Sequence, residues 1–373
     1  MLQSIFVYGF MILAMFICGK ASILYPRYKY IYVCLSVFVF VLFSGLRYDV
    51  GVDYMTYYDI FKSFSEDYSN KYLALYDYSR YEYGFMSIVL LCTKLGLGPN
   101  AIFAIFALIQ ISSVYYVFQD DRRLLPYIGF ALIAGGGFFI WMNAVRQITS
   151  FTLFLVSYKL LNNRRFFLTG LFALFAWLMH KSAILFYPFL FLSPLFQKRI
   201  LGVKLQMLVF VASILLSNMR VWHYFSDFIT SILSFMGDFG QRYSSDSILD
   251  VNSDLDFGLR AAVIIILDLT VIMFSNKMSN VNGRFFNYFY NIYYIGVVMS
   301  HLFADNHYLT RFTLYFSSMS FIVYSYLLAY FANNRRGYNL IVMIIISALL
   351  LLYLFRTIQA DDGTASILYQ FCF

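Results

Sequence analysis

Apolar residues in this chain neither alternate nor mark one stripe of a helix; they run in long blocks separated by short polar stretches. The blocks fall at about 4–19, 30–46, 100–118, 124–142, 145–161, 165–179, 182–196, 205–219, 258–275, 285–303, 312–332 and 338–355. A helix needs roughly 20 apolar residues to cross a bilayer, so each block reads as a span with boundaries soft by a few residues. The alternation of a transmembrane β-barrel is missing. A further block at 84–97 rises only about 21 Å as a helix, short of a hydrocarbon core of roughly 30 Å. It predicts a re-entrant or interfacial helix. The fold expected is an all-α polytopic transmembrane helix bundle of about 12 spans, forming a single integral membrane domain over 1–373 and lying in the lipid bilayer.

Composition agrees with that pattern. Of 373 residues, 61% are hydrophobic and 12% charged, about half the charge of an average soluble domain. The net charge of +8 does not point to nucleic acid, because no basic run exceeds two residues. Cys18, Cys34, Cys92 and Cys372 show no CxxC or metal-ligand spacing. The first apolar block lacks a basic leading region and is followed by others, so no cleavable signal peptide is expected.

Charge also predicts orientation. With the first residues outside and 84–97 not crossing, the short loops on one side carry fifteen Lys and Arg against only Asp120 and Asp121. The positive-inside rule makes that side the cytoplasm and both chain ends external. Two long loops are then external, at about 47–99 and 220–257, where function on a rigid bundle usually sits.

Five clusters carry candidate chemistry. Residues 45–59 hold Arg47, Asp53, Tyr54 and Tyr57, with Asp53 and Tyr57 one helical turn apart; an interfacial belt of Tyr and Arg explains them equally well. Glu82, one of only two glutamates, opens the short helix, where it serves either as a helix cap or as a general base. Asn143, Arg146 and Gln147 lie in a tight turn between two blocks. An arginine near membrane depth is costly unless paired or facing an aqueous cavity, and its guanidinium suits phosphate. His180 with Ser182 sits where two blocks meet, placed to shuttle a proton or to satisfy the interface. Arg311 with Tyr315 heads another block on the same side. Three arginines on one membrane face point to an anionic, membrane-embedded ligand such as a lipid phosphate or pyrophosphate. Asp268, in mid-block, is an intramembrane acid. No zinc-type spacing of His and Cys appears, so no metal site is expected.

These fragments in this order resemble the EpsG family of Wzy-type polysaccharide polymerases. They are Arg47-Tyr-Asp-Val-Gly-Val-Asp53 with Tyr54 and Tyr57, Glu82-Tyr-Gly-Phe85, Met142-Asn-Ala-Val-Arg146-Gln147, His180-Lys181-Ser182-Ala183, and Arg311 with Tyr315. Val52 and Tyr83 depart from residues common in the family. The resemblance implies a glycosyltransferase of the bacterial cytoplasmic (inner) membrane, building O-antigen, capsule or exopolysaccharide on its outer or periplasmic face. It would join oligosaccharide repeat units carried on undecaprenyl pyrophosphate, releasing undecaprenyl pyrophosphate. Arg47, Arg146 and Arg311 are then expected to hold the pyrophosphate. Asp53, Glu82 and His180 are the candidates for the base, and Tyr54, Tyr57, Asn143, Gln147, Ser182 and Tyr315 for substrate contacts. The leaving group is already good, so no cofactor is required, although a carboxylate–metal arrangement in the first loop stays open. Chain-length regulator and flippase proteins are the expected protein partners. A lipid-linked oligosaccharide flippase or exporter, an O-antigen ligase and a membrane acyltransferase are the competing readings.

Overall fold

The computed structural model describes residues 1–70, 81–198, 201–217, 258–303, 313–333, 337–361 and 367–372. The external loop expected at 220–257 and the cluster around Arg311 lie outside the described residues. The apolar blocks become helices: α1 (Leu2–Leu24), α2 (Lys29–Gly45), α3 (Tyr54–Asn70), α4 (Tyr83–Lys94), α5 (Pro99–Phe118), α6 (Leu125–Ala134), α7 (Gly137–Asn143), α8 (Val145–Asn162), α9 (Phe166–Met179), α10 (Tyr187–Phe191), α11 (Ser193–Phe196), α12 (Val203–Ser217), α13 (Leu259–Leu302), α14 (Ser320–Asn333) and α15 (Gly337–Gln359). They form two compact units, Met1–Leu192 with Phe331–Phe373, and Ser193–Tyr330.

Six helices are long and apolar enough to cross a bilayer, or seven if the pair Arg122–Ala134 and Gly137–Asn143, bent by 69°, makes one span. The described residues therefore do not present the twelve spans expected: Leu259–Leu302 counts as one helix over the two blocks 258–275 and 285–303, and three local reasons account for the rest. The block at 182–196 is broken into a 3-10 turn, Lys181–Phe186, and the short α10 and α11. Pro188 and Pro194 open those two helices, where a missing N–H is tolerated but an upstream helix cannot continue through it. Helices α9 and α12, of 14 and 15 residues, rise only about 21–23 Å. Helix α8 has the length but not the hydropathy, because it is enclosed by protein: Thr149, Ser150, Thr152 and Ser157 are all fully buried. A helix wrapped by other helices has no need of a lipid-compatible surface. The block at 84–97 is the short α4, of 12 residues, which rises about 18 Å.

In the first unit, α1 packs on α2 and α6, α5 lies against α2 and α8, and α8 lies against α9. Polar side chains stitch these contacts. Ser36 and Tyr115 share a 2.5 Å hydrogen bond, and the Gln110 amide donates to Val145 O at 3.1 Å and Thr149 Oγ1 at 3.0 Å. At one end Lys29 donates to Gln119 O at 2.6 Å and Lys159 pairs with Asp120 at 2.5 Å, so the last turn of α8 lies beside the cation-rich turns.

In the second unit, α13 is one 44-residue helix interrupted at Gly283, whose φ of +67° belongs to the left-handed region that glycine enters without steric cost. Asp268 accepts hydrogen bonds from Tyr293 OH, and from Tyr324 OH at 3.0 Å. Twenty-five residues of straight helix would separate Asp268 from Tyr293 by about 38 Å, so the chain folds back at Gly283 into two antiparallel limbs. Asn291 donates to Phe196 O and Lys198 O, and Tyr294 OH to Gln206 O, tying the second limb to α11 and α12. Asp268→Ala is expected to destabilise this unit by about 1–3 kcal/mol, because two buried hydroxyls lose their acceptor where helix-to-helix hydrogen bonds are worth roughly 0.6–2 kcal/mol each. Asp268→Asn keeps an oxygen acceptor and should lose less; thermal unfolding in detergent measures both.

Candidate functional site

The site is assembled in the first unit from three chain segments that the sequence separates widely. Glu82 directly precedes α4, in extended conformation. Arg146 is the second residue of α8, after the tight Asn143–Val145 turn. His180 ends α9, its backbone extended (φ −159°) as the chain turns into the 3-10 segment. Because α9 packs on both α4 and α8, the three side chains meet.

Glu82 lies at the centre. Its Oε1 sits 2.7 Å from His180 Nδ1, and its Oε2 accepts from Arg146 Nη1. Although Glu82 stands at the helix N-terminus, its side chain makes no cap bond; both oxygens are used across the bundle instead. Burial alone would raise this carboxyl. The His180 hydrogen bond and then the Arg146 charge outweigh burial and bring it down to about 2, so Glu82 is a fixed anion at neutral pH.

Arg146 is held by more than one charge. Its Nε reaches Tyr57 OH at 3.5 Å, and its guanidinium carbon lies 5.7, 5.9 and 5.4 Å from the ring centres of Tyr57, Tyr81 and Phe85, within cation–π range. The Nη2 group has no acceptor among the described residues, which leaves two N–H donors on a cation of fixed position.

Gly84 makes the meeting possible. A Cβ there would stand 2.8 Å from Leu178 O and 2.9 Å from Leu178 C, against the backbone of α9 two residues before His180. Gly84→Ala must push α4 off α9 and separate Glu82 from His180. We expect a loss of activity of about tenfold or more, since misplacement by about 1 Å can cost 10²-fold. Turnover per folded molecule, compared with wild type, checks this.

Linkage gives a second test. The Glu82 carboxyl titrates near 2 in the fold against an ordinary 4.5, so it stabilises the protein above about 4.5 and that contribution fades as pH falls toward 2. The full span is about 3 kcal/mol at 1.36 kcal/mol per unit. Thermal unfolding of wild type and Glu82→Gln should therefore converge as pH falls through that window.

The structure places the other expected residues as follows. Arg47 was expected to hold an anion, but it is 1% exposed, and its Nη1 donates to Val50 O and Met142 O, both at 2.8 Å. The guanidinium is stacked 4.6 Å over Phe103 and 5.4 Å over Tyr54. Its turn is clasped from outside by segment 367–372, with Tyr48 N–H donating to Gln370 O and Cys372 N–H to Leu46 O, each at 2.9 Å. Arg47 braces a turn. Tyr54 is likewise enclosed, stacked on Phe103 at 4.5 Å, and presents no face to a sugar. Tyr57 is buried and meets Arg146. Asn143 Oδ1 accepts the Asp53 backbone N–H at 2.8 Å, and Asp53 O accepts from Tyr57 N–H at 3.1 Å to begin α3. Tyr57 lies within electrostatic reach of both Asp53 and Glu82. Gln147 is half-buried and Ser182 buried. Tyr315 is buried in the second unit, and Arg311 lies outside the described residues. Among the described residues no group of three or more His, Cys, Asp or Glu is placed to hold a metal ion. The sequence reading includes Gly84 and Phe85 in the Glu82 motif but gives Tyr81, Phe85 and the close approach at Gly84 no role.

Residues 30–371 match the sequence model of the EpsG family. No curated protein and no solved structure matches the chain.

Proposed function

The chain belongs to the EpsG family, and we propose that within it this protein is a Wzy-type polysaccharide polymerase acting on repeat units linked to undecaprenyl pyrophosphate. The observation that carries this reading is the Glu82 carboxylate bridging Arg146 and His180 in a polytopic membrane protein. One group fixes a cation for a departing anion and orients an imidazole for a proton.

In the reaction, a hydroxyl oxygen of the incoming unit bonds to the anomeric carbon of the growing chain. The bond from that carbon to the diphosphate breaks, and its electron pair leaves with undecaprenyl pyrophosphate. Charge builds on the leaving oxygens, where the Nη2 donors of Arg146 lower the barrier. The hydroxyl proton passes to His180. Glu82, held as an anion, is a poor base itself; it keeps the Nδ1 side of the imidazole occupied and stabilises the imidazolium as it forms. Asp53, whose backbone is set by Asn143, flanks the same site and is a substrate-positioning carboxylate. No step requires a metal.

The site is assigned to the outer face of the cytoplasmic membrane. Lys159, which pairs with Asp120 beside the cation-rich turns, lies thirteen residues along α8 from Arg146, or about 20 Å. If those turns are cytoplasmic by the positive-inside rule, Arg146 is near the other surface. Short helices such as α9 and α12 and the enclosed α8 then complete a bundle of about 12 crossings.

Deleting the gene and sizing the surface polysaccharide tests the reading. A single repeat unit on its acceptor supports a polymerase. Loss of every unit from the surface favours a flippase, polymer that accumulates unattached favours a ligase, and a normal ladder lacking one substituent favours an acyltransferase.

A further inference from the structure

A cavity of about 540 Å³ opens on the side of the first unit between α1, α6 and α15, within the roughly 300–1,000 Å³ range of ligand-enclosing pockets. None of its lining residues belongs to the Glu82 site, and the reaction above does not use it. Its walls are apolar, built from Ile12 and Phe16 of α1, Phe130 of α6 and Leu340 and Met343 of α15. Helices α1 and α15 both qualify as membrane spans, and beside the cavity Leu13 and Leu340 are 57% and 55% exposed. An apolar groove on that surface faces hydrocarbon, and an acyl chain is what the bilayer offers to fill it.

One end of the groove is chemically different. Lys20 and Tyr127 close it, with Lys20 Nζ donating to Tyr127 OH at 3.3 Å and seated 5.6 and 5.3 Å from the ring centres of Phe16 and Tyr127. These contacts fix the ammonium at the groove mouth and use only one of its three N–H donors. No carboxylate pairs with Lys20 among the described residues. Asp121, at the same end, is already engaged by Arg123 through two hydrogen bonds, and Arg122 beside it is exposed. Among the described residues the mouth therefore carries positive charge with no carboxylate paired to Lys20, one turn from the end of α1.

We propose that this groove binds one anionic glycerophospholipid, its acyl chain lying along Ile12 to Phe16 and its phosphate on Lys20. The lipid belongs to the leaflet at the Lys20 end, opposite the Glu82 site, and so is not the saccharide carrier. The proposal rests on the membrane placement of α1 and α15 and not on the polymerase reading.

Native mass spectrometry of the purified full chain, exchanged into nanodiscs of dioleoyl-phosphatidylglycerol or dioleoyl-phosphatidylcholine, tests it. Wild type should retain the glycerol lipid about fivefold better than the choline lipid, as one lysine facing an anionic headgroup implies. Lys20→Gln should bring that ratio close to one. Ser347→Phe, which fills the groove from α15, should lose both lipids while Lys20 remains. Equal retention of the two lipids by wild type, or an unchanged preference in Lys20→Gln, would overturn the assignment. Displacement of phosphatidylglycerol by added undecaprenyl phosphate in wild type but not in Ser347→Phe would make the occupant an isoprenoid, which also overturns it.

Discussion

Glu82→Gln is expected to lower the polymerisation rate by about 10²–10³-fold while leaving the protein folded at neutral pH. Glutamine matches the shape but has one acceptor oxygen where two are in use, toward His180 Nδ1 and Arg146 Nη1. Its amide N–H₂ must face one of those donors. If it turns toward Arg146, a guanidinium in a ring of Tyr57, Tyr81 and Phe85 loses its counter-charge. If it turns toward His180, the imidazole loses the carboxylate that sets its orientation. The two residues act as a unit, so Glu82→Gln added to His180→Ala should cost little beyond His180→Ala alone. Additive losses would mean that Glu82 acts through Arg146 or on substrate independently of His180. The readout is initial rate of polymer formation per mole of protein that elutes as a single folded species.

Arg47→Ala should act in the opposite way, on stability before activity. Removing the guanidinium orphans the carbonyls of Val50 and Met142, at roughly 1–3 kcal/mol each, and opens a gap beneath Phe103 and Tyr54. A loss of about 2–6 kcal/mol follows, seen as a lower Tm and a fall in membrane-inserted protein. Arg47→Lys should recover only part of it, because a compact ammonium lacks the planar face that stacks over Phe103 and Tyr54 while Nη1 serves both carbonyls. Had Arg47 held pyrophosphate, as its motif suggested, Arg47→Ala would retain its Tm and lose only turnover.

The contrast between these arginines shows what one-dimensional reading could reach. Hydropathy located α1, α2, α5 and α15 within a few residues, because each is long and continuously apolar. It does not by itself tell a crossing from a helix that is short or enclosed. The Thr and Ser residues of α8 are hidden by protein, and the apolar run at 182–196 is cut by Pro188 and Pro194. Motif order singles out Glu82, Arg146 and His180 as separate candidates. Their partnership was not legible, since it depends on α9 packing against both α4 and α8 and on Gly84 permitting that approach. Glu82 read as either a cap or a base, and its bridge to two other segments was hidden because cap and bridge place an acid at the same sequence position. Arg47 and Tyr54 read as ligand-binding because burial inside a folded turn leaves no periodic signature.

The central claim, that Arg146 stabilises a departing lipid pyrophosphate in a polymerase, is tested most directly by reconstitution. Wild type and Arg146→Ala, each in liposomes with defined repeat units on undecaprenyl pyrophosphate, would be assayed by counting undecaprenyl pyrophosphate released for each glycosidic linkage formed. The account predicts one released per linkage for wild type, and a parallel loss of linkage and release of about 10²-fold or more in a folded Arg146→Ala. Polymer formed without that release, or a folded Arg146→Ala working at the wild-type rate, would contradict it.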